Sequence, residues 1–265
     1  MQKQQYLVPI FFFCLTSVIW GATNYVSFSG SHTTPFTSWA TAATDIQSAI
    51  DVASNGDTVL VTNGTYSTGG VAVFTYGTNR IAITKPITVC SVNGPAFTVI
   101  EGQGPLGSNA VRCAYMINGA ELIGFTLTNG FTQNFRDIVK EDSGGGVWCE
   151  PGAIISNCFI VGNRANVAGG GAYGGILKHC SLVSNQAGVD GGAAAHAVVE
   201  NRVLYSNVAN YGGGTHFGPV RNSIISDNIA NIYGGGMRGG STENCTITKN
   251  SAPFGGGTHI RAFND

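Results

Sequence analysis

From Gly144 to the last residue the chain repeats itself. Written from their glycines, the units read GGGVWCEPGAIISNCFIVGNRANVA, GGGAYGGILKHCSLVSNQAGVD, GGAAAHAVVENRVLYSNVANY, GGGTHFGPVRNSIISDNIANIY, GGGMRGGSTENCTITKNSAPF and a cut-off GGGTHIRAFND. The aligned asparagines Asn163, Asn185, Asn207, Asn228 and Asn250 are spaced 22, 22, 21 and 22 residues apart. A unit of this size cannot bury its apolar side alone and does so only by stacking on its neighbours. The units lack the LxxLxL strand of a leucine-rich repeat. They are also shorter than helical repeats, which run above about 30 residues and use strong helix formers. Their β-branched residues, Asn and Gly runs suit short strands joined by tight turns.

Columns drawn through the units sharpen this reading. Cys158, Cys180, Arg202, Ser223 and Cys245 form one column, and two places on stand Ile160, Leu182, Leu204, Ile225 and Ile247. Three further on comes the Asn, two beyond it Ala165, Ala187, Ala209, Ala230 and Ala252, and two more reach Val167, Val189, Tyr211, Ile232 and Phe254. Side chains alternate along a strand, so the odd step from aliphatic to Asn marks a bend. A second odd step separates Cys158 from Ile155, and the glycines mark a third corner. The expected fold is a right-handed, single-stranded parallel β-helix of ~22-residue coils with a short N-terminal capping α-helix.

Most columns have structural roles. The Asn ladder should satisfy backbone groups at the bend through stacked amides. Asn157, His179, Asn201, Asn222 and Asn244 read as turn residues. Lys178, Glu200, Arg221 and Glu243 alternate in sign, which at a rung spacing of about 4.8 Å sets register and no chemistry. The GGG runs lack the Lys-Ser/Thr of a phosphate loop. Cys14 departs with the leader described below, and Cys90, Cys113, Cys149, Cys158, Cys180 and Cys245 remain. In-register side chains point the same way, so Cys158 and Cys180 should stay reduced thiols without metal.

Residues 1–22 combine Lys3, an apolar stretch from Leu7 to Trp20 and Gly21-Ala22, the layout of a secretory signal too short to span a bilayer. Residues 23–43 form a polar lead-in, and 44–62 form the cap. There Thr44 and Gln47 make a capping-box pattern, Ile46, Ala49, Ile50 and Ala53 one apolar helical face, and Gly56 the stop. Thr58 to Thr62 is a strand closed by an Asn63-Gly64 turn. Residues 63–143 are irregular coils, ending in ELIGFTLTNG with Asn129 in the place of Asn163. They also hold the loop FTQNFRDIVKEDS, whose Arg136, Asp137, Lys140, Glu141 and Asp142 put five charges into thirteen residues. With 13 Lys and Arg and 14 Asp and Glu in the whole chain, that is a local excess.

The cap with GDTVLVTNGTY, the repeated GGG…NC.I..N.A, Gly191-Gly192-Ala193 and Ile160-Val161-Gly162-Asn163 resemble secreted bacterial right-handed β-helix proteins of the pectin-lyase-like superfamily. The repeats are also similar to those of polymorphic outer-membrane proteins and adhesin-like autotransporter passengers. The resemblance covers residues 44 to 265 and implies an extracellular, cell-surface or outer-membrane-associated protein.

Three functions follow as expectations. The first is adhesin-like glycan binding along a column of Trp148, Tyr173, Ala195, His216, Arg238 and His259. If that column faces out, its aromatic part suits sugar faces and its basic part an acidic polymer; the alternative is that Trp148 and Tyr173 merely cover the glycine corner. The second is the polysaccharide lyase or glycoside hydrolase that the superfamily also includes. It would need carboxylates gathered on one face, and Asp137, Glu141, Asp142 and Glu150 are the candidates if the loop folds back. Only that lyase would bring in a cofactor, Ca²⁺. The third is a spacer within a larger surface protein. His216 and His259 fall two rungs apart, roughly 10 Å, too far for one metal, and a net charge of −1 argues against nucleic acid. Because the final unit is cut short, the expectation is a longer natural chain, end-to-end association, or a lid made from Ile260 and Phe263.

Overall fold

A computed structural model describes residues 21–134 and 137–259. The leader residues 1–20, Arg136, Ile260 and Phe263 lie outside the described residues. The described chain is almost entirely β, in long parallel sheets. Sheet I has nine strands, in the order Thr23–Val26, Thr58–Val61, Thr88–Ser91, Glu121–Ile123, Ile154–Ser156, Ile176–Lys178, Val198–Glu200, Pro219–Arg221 and Ser241–Glu243. Sheet II has eight strands, from Gly64–Tyr66 to Thr246–Thr248. Sheet III has nine, from Val71–Ala72 to Thr258–His259. Sheet IV has four short ones, from Arg164–Ala165 to Ile229–Tyr233. Each of the four units from 144 to 233 supplies one strand to every sheet and pairs with the equivalent strand of the next, for example Ile155 with Leu177 and Ile160 with Leu182. Among the described strands, the antiparallel exception is Val71–Ala72 against Thr78–Ile83.

The alternation inside each strand builds the core. Leu122, Ile155, Leu177, Val199 and Val220 point inward from sheet I, and Leu127, Ile160, Leu182, Leu204 and Ile225 from sheet II, all fully or almost fully buried. Each such side chain contributes about 1.5–3 kcal/mol of burial. Small inward residues, Ala172 and Ala194 among them, line sheet III. The first glycine of each corner needs a left-handed backbone. Gly191 has φ 62°, and a Cβ there would lie 2.2 Å from the Ala194 carbonyl oxygen.

The ends differ in detail from expectation. Thr23–Val26, within the expected polar lead-in, is already a sheet I strand paired with Thr58–Val61. The helix spans Ile46–Val52 and its cap is Asp45, not Thr44, because the Asp45 carboxylate accepts from Ser48 N at 2.8 Å. Thr44 instead hydrogen-bonds His32 at 2.9 Å, and Gln47 bonds both ways with the Ala82 backbone. The helix stops at Val52 with Ala53 as C-cap, ahead of Gly56. Ile46, Ala49 and Ile50 cover the core at this end. Gly64 opens a strand and does not merely close a turn. Val111–Met116 is a full sheet III strand that the irregular sequence of this region hides.

Two register points also differ. Leu127 pairs with Ile160, so Gly130 and not Asn129 stands opposite Asn163. Asn129 takes the left-handed position of Gly162, Ser184, Ser206, Asp227 and Lys249. In the outer ladder before the glycines, the residues brought together are Ala168, Asp190, Tyr211, Tyr233 and Phe254. Counting forward from Asn had aligned Val167, Val189 and Ile232 instead. The third and fifth units have one residue fewer before their glycines, and the ladder shifts register between Ala209 and Tyr211 to absorb it.

Candidate functional site: a two-ladder strip over the glycine corner

Two outer ladders flank the glycine corner. One is Ala168, Asp190, Tyr211, Tyr233 and Phe254. The other, on sheet III, is Trp148, Tyr173, Ala195, His216, Arg238 and His259, paired in that order. A residue of the second ladder leans back over the corner to meet the first. His216 Nδ1 lies 3.2 Å from Asp190 Oδ1. The Arg238 guanidinium lies 4.3 Å from the centre of the Tyr211 ring, and the His259 ring 4.6 Å from that of Tyr233.

Of the two readings of this column, an open aromatic strip or a cover over the glycine corner, Trp148 follows the second. Trp148 is 8% exposed. Its Nε1 donates to Val139 O at 2.9 Å, and Phe74 packs edge-on against it. It forms a covered satellite core with Tyr115 and Ala82, because the 137–143 loop and the 71–76 segment fold over it. Tyr115, Trp148 and Tyr173 stack within 12° and 11° of parallel, as do Tyr211 and Tyr233 within 11°. Their faces are therefore largely taken by one another. Tyr173 is the first member of the column that is partly exposed, and His196, exposed in a left-handed turn, sits 5.3 Å from it. His216 is 4% exposed, while Arg238 and His259 are half-buried.

The polar centre is Asp190, His216 and Arg238. Arg238 Nη1 is 4.0 Å from Asp190 Oδ1 and 3.5 Å from His216 Nε2. Arginine only donates, so His216 Nε2 accepts and its proton resides on Nδ1, on the Asp190 side. Burial, with help from the nearby Arg238 and His196 charges, pushes the His216 imidazole down to about 4. Burial also raises the Asp190 carboxyl above its usual range, against the pull of Arg238 and His196. The ring is neutral at neutral pH, and the expected basic strip reduces to one guanidinium beside one carboxylate.

The loop carboxylates do fold back, each onto a different donor, and Asp137 and Glu141 line one cavity. Asp137 caps Val139 N and Lys140 N, at 2.9 and 3.0 Å. Glu141 accepts from Tyr76 N at 2.8 Å, and Asp142 from Asn166 Nδ2 at 3.2 Å. Glu150 accepts from the Tyr115 hydroxyl at 3.0 Å and from Asn118 N at 3.3 Å. Burial, then this Glu150 contact, pushes the Tyr115 phenol up to about 12. The loop is held by buried Arg112, which donates to Gly144 O, Lys140 O, Ser143 O and Asn79 Oδ1. A cavity of about 690 Å³ lies between Phe74 and Tyr76 on one side and Asp137 and Lys140 on the other. Among the described residues, no group of three or more His, Cys, Asp or Glu side chains is placed to hold a metal ion.

The remaining columns carry structure. Asn163, Asn185, Asn207, Asn228 and Asn250 form a continuous amide ladder, each Oδ1 from Asn185 onward accepting the backbone N–H and Nδ2 of the preceding Asn at 2.9–3.1 Å. Asn157, His179, Asn201, Asn222 and Asn244 all have φ near 50–63°. Arg221 bridges Glu200 and Glu243, each at 3.3 Å. Cys90, Cys113, Cys149, Cys158, Cys180 and Cys245 are all free. Cys180 is pushed well above the usual thiol range by its contact with Cys158 and by burial. No helix among the described residues is long and apolar enough to cross a membrane.

Asp190, Tyr233 and His196 are the members of the site that column counting missed. Counting backward from each first glycine places Asp190 and Tyr233 at once. His196 follows Ala195 in a left-handed turn that no motif announces. No protein-family model, no curated protein and no solved structure matches the chain.

Proposed function

We propose that the chain is an exported, right-handed single-stranded parallel β-helix that binds a glycan along its two-ladder strip, as a secreted or cell-surface adhesin-like protein. The observation that carries this is the side-by-side placement of Asp190, Arg238, Tyr211 and Tyr233 on a rigid outer face. Planar and hydroxyl-bearing side chains next to charged donors and acceptors are the groups that bind sugars with little loss of rotamer entropy. The rings meet one another face to face, so the sugar is read by ring edges and polar tips. The 22-residue period and one strand per sheet per unit support the β-helix. The apolar leader sequence supports export.

Polysaccharide cleavage is the second reading. It is favoured by one observation, a carboxyl raised by burial beside an imidazole and a guanidinium. A polysaccharide panel, scored for retention and for released reducing or unsaturated ends, separates the readings. Retention without release, lost in Tyr211→Ala/Tyr233→Ala, supports binding, and release supports the enzyme. Neither retention nor release leaves a spacer.

A further inference from the structure

The polar centre of the strip says what kind of glycan it takes. Asp190 Oδ1 is shut away from solvent, against His216 and Arg238. Yet a quarter of the Asp190 side chain remains exposed, which leaves Oδ2 as the oxygen that can meet a ligand. Arg238 keeps a similar share, 22%, while its plane is held over Tyr211 and near Tyr233. One fixed acceptor and one fixed donor fork thus stand next to each other.

Other charges on this face do not tilt the balance toward a cationic strip. Asp137 lies close enough to Tyr173 to raise its phenol, after burial, and Lys140 sits over Phe74 in the adjoining cavity. A carboxylated or sulfated chain would approach Arg238 only by placing its anion beside Asp190. A cationic one would meet Arg238. A sugar hydroxyl both donates and accepts, so neighbouring hydroxyls satisfy Asp190 and Arg238 at once without a repulsive pair. We infer that the ligand of the strip is an uncharged, hydroxyl-rich glycan, read by Asp190 Oδ2 and the Arg238 fork, with anionic polysaccharides rejected. This rests on the glycan-binding reading above.

Affinity electrophoresis of the full chain tests it, in gels holding laminarin, mannan or xyloglucan against gels holding polygalacturonate or alginate. The expected result is retardation in at least one neutral gel and none in the anionic gels. Asp190→Asn should weaken the neutral retardation at least tenfold at an unchanged melting temperature, because a site built around a hydroxyl loses its acceptor charge. Should Asp190→Asn fail to fold, Arg238→Gln is scored in its place with the same expectation. Retardation in anionic gels equal to or above that in neutral gels overturns the inference, as does full neutral retardation of the folded variant. No retardation of the wild type in any gel removes the glycan-binding reading itself.

Discussion

Asn185 Nδ2 donates to Asn207 Oδ1 at 3.0 Å, while Asn185 N donates to the same oxygen at 2.9 Å. One amide oxygen thus closes two donors of the unit before it, and its own Nδ2 closes Leu182 O at 2.9 Å. Asn207 is fully buried, so Asn207→Ala leaves Asn185 N and Leu182 O without this partner, away from water, while Asn185 Nδ2 keeps Ile160 O at 2.8 Å. At about 1–3 kcal/mol for each of these two groups, the loss should be about 2–6 kcal/mol. Asn250 stands where the ladder is half-buried, and water can replace part of its bonding. Urea titration of Asn207→Ala and Asn250→Ala should therefore show the first clearly less stable. Equal losses would mean that burial does not set the cost of the ladder.

Thr215 offers the opposite case. Its neighbours in the sheet III column, Ala194 before it and Met237 after it, are buried in the core, and Thr215 Oγ1 is buried with no hydrogen-bond partner. Replacing that hydroxyl by a methyl removes a desolvated polar atom at constant shape. Thr215→Val should be neutral or more stable by up to about 2 kcal/mol. A loss of more than about 1 kcal/mol by thermal unfolding would show that the hydroxyl is bonded.

Much of the fold was legible because one rule governs it: identical columns stack, so the period, the inward aliphatics and the Asn bend all announce themselves. What failed, failed for local reasons. Asp190 was missed because units of unequal length were counted from the asparagine, and the backbone takes up the missing residue between Ala209 and Tyr211. Whether Trp148 faces solvent or covers the glycine corner stays open in the sequence, because a column shows only which face a side chain takes. It does not show what the 137–143 loop and Phe74 will lay over that face. The three loop carboxylates and Glu150 are near one another in sequence, whereas each meets a different backbone or side-chain donor. The helix cap moved from Thr44 to Asp45 because two adjacent residues could each serve, and only one aims at Ser48 N.

Arg112 holds the lid over Trp148. It is 1% exposed and donates to three carbonyl oxygens and to Asn79 Oδ1, and burial lowers its pKa to about 10. Arg112→Leu leaves these acceptors without donors and should cost about 3–5 kcal/mol. Part of that loss should be local. Hydrogen exchange at residues 137–144 should quicken in the variant by more than in the Asn ladder. Uniform quickening across the chain would mean that the loop has no separate dependence on Arg112.

His216 makes stability depend on pH, with a sign that follows from its environment. Burial, Arg238 and His196 lower its pKa from 6.5 to about 4 in the folded chain. Between those values the unfolded chain binds the proton and the folded chain does not, so stability falls as pH drops from about 6.5 to 4. With the ring almost fully buried, the loss should be on the order of 2–3 kcal/mol. Asp190 acts the other way. Its folded pKa is raised, so acid relieves it as pH falls through that value, and part of the His216 loss is offset. His216→Gln removes the titration while keeping a polar side chain. The stability of wild type relative to His216→Gln should therefore decline by up to that amount between pH 7 and pH 4, measured by urea unfolding at each pH. Asp190→Asn should make the wild-type decline steeper. A gap between wild type and His216→Gln that stays constant over this range would mean that the imidazole is not held neutral over the corner.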